Sequence, residues 1–171
     1  MYDWDLGDPV FNAWVRLRQA WEAVAQSLEI ELDMYHTTLP QIDILIILSA
    51  SKAPLTPSEI ASYIFRELHS VSGLLTRMEK AGYVRKVRTR KDQRVVKVRM
   101  QPKGEELVKK AVGSGFPHAR RIMRSSLSEE EIKQLDQLLK KLRNGALQEL
   151  GLKTRPLPAT INAPTMLSRQ A

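Results

Sequence analysis

A mainly α-helical chain with one small β-hairpin is the fold that the sequence predicts, and three observations predict it. Apolar residues recur at three- and four-residue steps over most of the chain. Three of those stretches open with a Ser/Thr-x-x-Glu/Gln capping box. The period shortens to two only once, between about residues 83 and 100.

The first helix runs from about Val10 to Leu32, with Phe11, Trp14, Val15, Trp21, Val24, Ala25 and Leu28 on a stripe broken by Arg18. Two tryptophans and a phenylalanine on one stripe fit either core packing or a subunit interface, where aromatic residues are enriched. Thr38-Leu-Pro-Gln41 opens a second helix, and Ile42 to Leu48 is apolar nearly all round, so that helix is expected to be central. Thr56-Pro57-Ser58-Glu59 starts a short helix to about Phe65, with Ile60, Ala61, Ile64 and Phe65 facing inward.

After a turn at Arg66 to His69, the segment from about Ser70 to Ala81 carries Val71, Leu74, Leu75 and Met78 at helical spacing. Its opposite face holds Ser70, Ser72, Gly73, Thr76, Arg77 and Lys80, with no acid. Gly82 is placed to stop this helix in the left-handed conformation. Tyr83 to Thr89 and Val95 to Met100 read as strands around the charged tip Arg90-Lys-Asp-Gln-Arg94. Glu105 to Val112 is helical, Gly113 to Pro117 breaks or kinks it, and Ser128-Glu-Glu-Glu131 caps a last helix that Gly151 ends. Ile132, Leu135, Leu138, Leu139 and Leu142 share a face of that helix. Beyond it, Pro156, Pro158 and Pro164 suggest an extended arm.

The charge pattern narrows the function. The chain has 171 residues and a formal charge of +8. Residues 1–50 hold two basic and eight acidic residues, whereas residues 66–99 hold eleven basic and three acidic ones. A basic centre of this kind points to a polyanion partner. There is no cysteine, which excludes disulfides, thiolate zinc sites and thiol chemistry. His36, His69 and His118 lie far apart without metal-ligand spacing, and Gly113-Ser-Gly115 lacks the context of a phosphate loop. No enzyme, metal or cofactor is expected. The acidic amino-terminal stretch lacks a signal-peptide pattern, and no apolar run could span a bilayer, so a cytoplasmic protein away from the membrane is expected.

One constellation remains: a helix–turn–helix followed by a basic hairpin, which places one helix in a DNA major groove and the other across the backbone. His69, Ser70, Ser72, Gly73, Thr76 and Arg77 are the candidate reading residues, and Gly73 permits close approach. Arg88, Arg90, Lys91 and Arg94 would meet the sugar-phosphate backbone or a minor groove, with Asp92 steadying Arg94. Two rival readings stay open: a nonspecific architectural DNA-binding protein and a winged-helix protein-interaction module.

Leu39-Pro-Gln-Ile-Asp-Ile-Leu45, Leu55-Thr-Pro-Ser-Glu-Ile-Ala61, Ser70-Val-Ser-Gly-Leu-Leu-Thr-Arg77, Glu79-Lys-Ala-Gly-Tyr-Val84, Asp92-Gln-Arg94 and Pro102-Lys-Gly104 follow one another at family spacing. In that order they resemble the MarR family of winged helix–turn–helix transcription factors. The resemblance implies a homodimer, most often a repressor, on a pseudo-palindromic operator of double-stranded DNA. It implies interlocked terminal helices, which favours an interface at Phe11, Trp14, Trp21, Leu135, Leu138 and Leu142. It further implies release by a small, often aromatic or anionic, effector in a cleft whose residues it does not assign. The organisation expected is a dimerisation helix at 1–37, a DNA-binding lobe at 38–104, dimerisation helices at 105–150 and an arm at 151–171.

Overall fold

The computed structural model describes residues 5, 7–51, 53–88, 94–112 and 116–152. Among them the chain forms seven helices and one two-stranded antiparallel hairpin. Helix α1 (Pro9–Asp33) begins where the Asp8 carboxylate accepts from the Val10 N–H at 2.9 Å, with Pro9 spending no amide in the first turn. It ends at Asp33 with Met34 as its C-cap, and the chain turns away at His36, whose φ of 51° no regular helix accommodates.

Helix α2 (Leu39–Ala50) is the hub. Ile42, Ile44 and Leu45 are completely buried and share one core with Leu32, Ile60, Val71, Leu75, Met78, Val84, Val98 and Val108 from the neighbouring helices and strands. Its capping box shows in the Thr38 N–H donating to Gln41 Oε1 at 3.2 Å. In helix α3 (Pro57–Tyr63) the Thr56 N–H donates to Glu59 Oε2 at 2.7 Å, and the Glu59 N–H returns a bond to Thr56 Oγ1 at 3.2 Å. Helix α3 ends two residues earlier than the expected Phe65. Phe65 takes φ 54° and, contrary to the expectation that it faces inward, is 61% exposed. A left-handed residue at the turn swings its side chain away from the face that Ile60 and Ala61 bury.

Helix α4 (Leu68–Lys80) starts two residues earlier than Ser70, so His69 is helical rather than part of the turn. Gly82, at φ 79°, ends it: the Tyr83 N–H reaches Met78 O at 2.9 Å, closing the expected left-handed cap. Strands β1 (Val84–Arg88) and β2 (Val96–Met100) pair with Val84 opposite Met100 and Arg88 opposite Val96. A third strand-like contact escaped the sequence, because a single apolar residue carries no period. The Val98 N–H donates to Leu55 O at 2.7 Å, pinning the hairpin to the α2–α3 connection.

Helix α5 (Pro102–Val112) starts at Pro102, which the sequence suggested only as a boundary. Gly104 allows this: a Cβ there would lie 2.4 Å from Tyr83 O and 3.1 Å from both Leu45 Cδ2 and Met100 Cγ. Helix α6 (Pro117–Ser126) was not singled out from the sequence; it follows Phe116, at φ 50°, and packs on α1. Glu31 of α1, itself buried, accepts from the His118 N–H at 3.4 Å and lies 3.3 Å from His118 Nδ1, tying the two helices together. Helix α7 (Glu129–Glu149) opens with the Ser128 N–H on Glu131 Oε2 at 2.8 Å; that bond and the Ser128 hydroxyl hold the Glu131 carboxyl below its ordinary pKa. Gly151, at φ 64°, follows its last turn as expected.

Candidate nucleic-acid interface

Helix α4 sorts its residues by face as the spacing demands. Val71, Leu74, Leu75 and Met78 are buried, which turns His69, Ser70, Gly73, Thr76, Arg77 and Lys80 to the surface, with Ser72 half-buried between them. Two hydroxyls are committed locally: Ser72 Oγ donates to Leu68 O at 2.8 Å and Thr76 Oγ1 donates to Ser72 O at 3.0 Å. They therefore face outward as acceptors rather than donors. At Gly73 an added Cβ would meet nothing within 4 Å, so no contact inside the chain calls for glycine there.

The hairpin stands beside this helix. Its inner face carries the buried Val84 and Val98; its outer face carries Arg85, Val87, Lys97 and Arg99. The register sets Arg85 directly opposite Arg99, a like-charge pair that costs stability on a strand ladder. Arg88 is exposed at the end of β1 and Arg94 is exposed just before β2. Arg90, Lys91 and Asp92, and with them the expected Asp92–Arg94 pairing, lie outside the described residues, as does the arm beyond residue 152.

Sequence reasoning missed the connection between hairpin and helix. The Lys86 N–H donates to Glu79 Oε1 at 2.7 Å, and Lys86 Nζ donates to Thr76 Oγ1 at 2.8 Å, 3.9 Å from Glu79 Oε2. A third tie comes from α5, where Lys103 Nζ donates to Ala81 O at 2.9 Å and sits 5.1 Å from the centre of the Tyr83 ring. The strand alternation was the only signal for Lys86, and it gives a face, not a partner.

The expected interface residues lie on α1 and α7. The Phe11 and Trp14 rings meet on α1 at a centroid distance of 5.7 Å, tilted by 42°, and Trp14 and Trp21 are 57% and 59% exposed. On α7, Leu138 and Leu142 are 62% and 56% exposed, and Leu135 is half-buried. Among the described residues only Leu147 of α7 is buried. No described group of His, Asp and Glu could hold a metal ion, and no described helix is long and apolar enough to cross a membrane.

A helix with a cationic outer face, a short helix packed on it from just before and a basic hairpin just after it define a winged helix–turn–helix protein. Comparisons with known proteins agree. The model of the MarR family matches residues 37–95. The chain is 31% identical over 108 residues to the HTH-type transcriptional regulator MgrA of Staphylococcus aureus, across 63% of this chain and 71% of that protein. Among solved structures it resembles the organohalide-sensing RdhR-CbdbA1625 transcriptional regulator in its 2,4-dichlorophenol-bound form, at 26% identity and a TM-score of 0.74 over 82% of each chain. It also resembles MepR of S. aureus in complex with DNA, at 25% identity and a TM-score of 0.68, over 77% of this chain and 96% of that one. The chain belongs to the MarR family, and is a DNA-binding transcriptional regulator rather than an enzyme.

Proposed function

We propose that the protein is a homodimeric repressor that binds a pseudo-palindromic operator of double-stranded DNA in the cytoplasm. The observation that carries the DNA reading is the cationic outer face of α4, with Arg77 and Lys80 exposed beside a cationic hairpin. His69, Ser70, Ser72, Gly73, Thr76 and Arg77 lie toward the major groove, and Arg88, Arg90, Lys91 and Arg94, with Asp92 orienting Arg94, lie toward the adjoining backbone and minor groove. The two half-sites are spaced by roughly 10 bp, one helical turn. A MepR–DNA complex among the similar structures supports this arrangement.

Dimerisation is supported by the uncovered apolar faces of α1 and α7. A 21-residue amphipathic helix with one buried side chain gains little from its own chain, and helices of this kind owe their stability to tertiary packing. Residues 1–37 and 105–150 supply the dimerisation helices and 38–104 the DNA-binding lobe.

Release by a small aromatic or anionic effector is supported by the dichlorophenol-bound relative and by a cleft of about 640 Å³ between α2, β2 and α5. Leu48, Pro54, Val98 and Met100 give it apolar walls, and its charged lining is Arg99 and Lys109 with one carboxylate, Glu105.

Footprinting on the DNA upstream of the protein's own coding region tests the reading. Protection of two related half-sites is expected, with Arg94→Ala weakening the complex in a gel shift at fixed salt while the dimer persists. Equal affinity for a scrambled duplex, together with a steep salt dependence, would instead mark an architectural protein. Weak binding indifferent to Arg94 would mark a protein-interaction module. Titrating 2,4-dichlorophenol and aromatic acids against the operator complex tests release.

A further inference from the structure

The hairpin register places Lys86 on the inner face, across from the fully buried Val98. A lysine there has to run its stem along apolar surface and carry its ammonium out to an edge. It emerges over α4, with Nζ 2.8 Å from Thr76 Oγ1 on the exposed face. Thr76 has given its proton to Ser72 O, so only its lone pairs meet the ammonium. Glu79 holds the same lysine twice, taking the main-chain N–H at 2.7 Å with Oε1 and standing 3.9 Å from the ammonium with Oε2. The longer distance is an ion pair and not a hydrogen bond. An ammonium has three donors, and among the described residues Thr76 is its one hydrogen-bond acceptor.

A half-exposed pair at this distance contributes little stability, so the folded chain alone does not account for a cation seated on the reading face. We propose that Lys86 is a DNA-contacting residue, its ammonium held by Thr76 and Glu79 toward a phosphate beside α4, and that Glu79 is the positioning residue that sets the hairpin against the recognition helix. This rests on the DNA-binding reading above. Lys86 adds a contact between the helix and the hairpin tip. Glu79, through the Lys86 N–H, fixes the distance between them, so that groove and backbone contacts form in one register.

The test is operator affinity of the full-length protein measured between 50 and 200 mM salt, against a scrambled duplex (roughly the range over which phosphate contacts are counted). Lys86→Gln is expected to reduce the slope of log K against log salt by about 0.9, the value for one phosphate, on both duplexes. An unchanged slope overturns the assignment of Lys86. Glu79→Ala is expected to lower the operator-to-scrambled ratio by about tenfold with the slope unchanged, and Glu79→Gln, which keeps an acceptor for the Lys86 N–H, to restore most of it. Glu79→Asp, which retains the charge but withdraws it by one methylene, is expected to fall between them and serves if the alanine variant does not fold. A wild-type ratio in both the Ala and Asp variants overturns the positioning role. Failure of the DNA reading looks different: the wild-type protein itself would then show no preference for the operator.

Discussion

Gly73→Ala isolates what α4 does from what holds it together. The residue sits in the middle of a 13-residue helix, and the methyl group of alanine would meet nothing within 4 Å. Glycine inside a helix costs about 0.5–1 kcal/mol relative to alanine, through the backbone freedom lost on folding. With no clash to offset that term, the variant should be more stable by roughly this amount, or about 2–3 °C in a domain of this size. The same methyl would stand on the surface facing DNA. Operator affinity should therefore fall by about tenfold, close to 1.4 kcal/mol, as the main chain is pushed off its closest approach. Thermal unfolding and a gel shift on the operator, run on the same preparation, measure the two effects separately. A lower melting temperature would refute the open geometry at Gly73. A higher melting temperature with unchanged operator affinity would refute close approach of DNA at this position.

Gly104→Ala should have the opposite sign in stability: a Cβ 2.4 Å from Tyr83 O, with Leu45 and Met100 each 3.1 Å away, forces α5 off the base of the hairpin. A loss of about 1–3 kcal/mol is expected in urea denaturation despite alanine's better helix propensity, and an unchanged midpoint would contradict the packing. Asp43, half-buried on α2, has its pKa raised by desolvation, with the Arg66 charge pulling the other way. The folded chain thus holds this proton more tightly than the unfolded chain, so Asp43 costs stability increasingly as pH rises above the ordinary value of 3.8 and through the raised one. Asp43→Asn should be the more stable form at pH 7, with its advantage shrinking as pH falls through that window; a pH-independent difference would rule this out. Trp21→Lys should convert dimer to monomer in sedimentation equilibrium while leaving helicity intact, because the side chain is 59% exposed within its own chain. A variant that remains dimeric would move the interface elsewhere.

The sequence by itself determined the features whose physics is local. The Thr38–Gln41, Thr56–Glu59 and Ser128–Glu131 capping boxes are hydrogen bonds between residues three apart, and Gly82 and Gly151 stop helices through their own φ angles. The stripe Val71, Leu74, Leu75 and Met78 needed only the helical period to be assigned to the core. Tertiary structure alone decided the rest. Gly73 and Gly104 both lie inside helices of the folded chain, and only the approach of Tyr83, Leu45 and Met100 to Gly104 makes that one indispensable to the fold. Leu55 becomes part of the sheet because Val98 arrives beside it from the hairpin. Phe65, apolar and expected inside, lies outside because the turn before α4 takes a left-handed residue. Lys86 and Glu79, two ordinary surface charges in the sequence, meet over Thr76 because the hairpin folds back on α4. Caps and periods act within a turn or two of the backbone; close approach, register and the seating of a charge depend on segments that only the folded chain brings together.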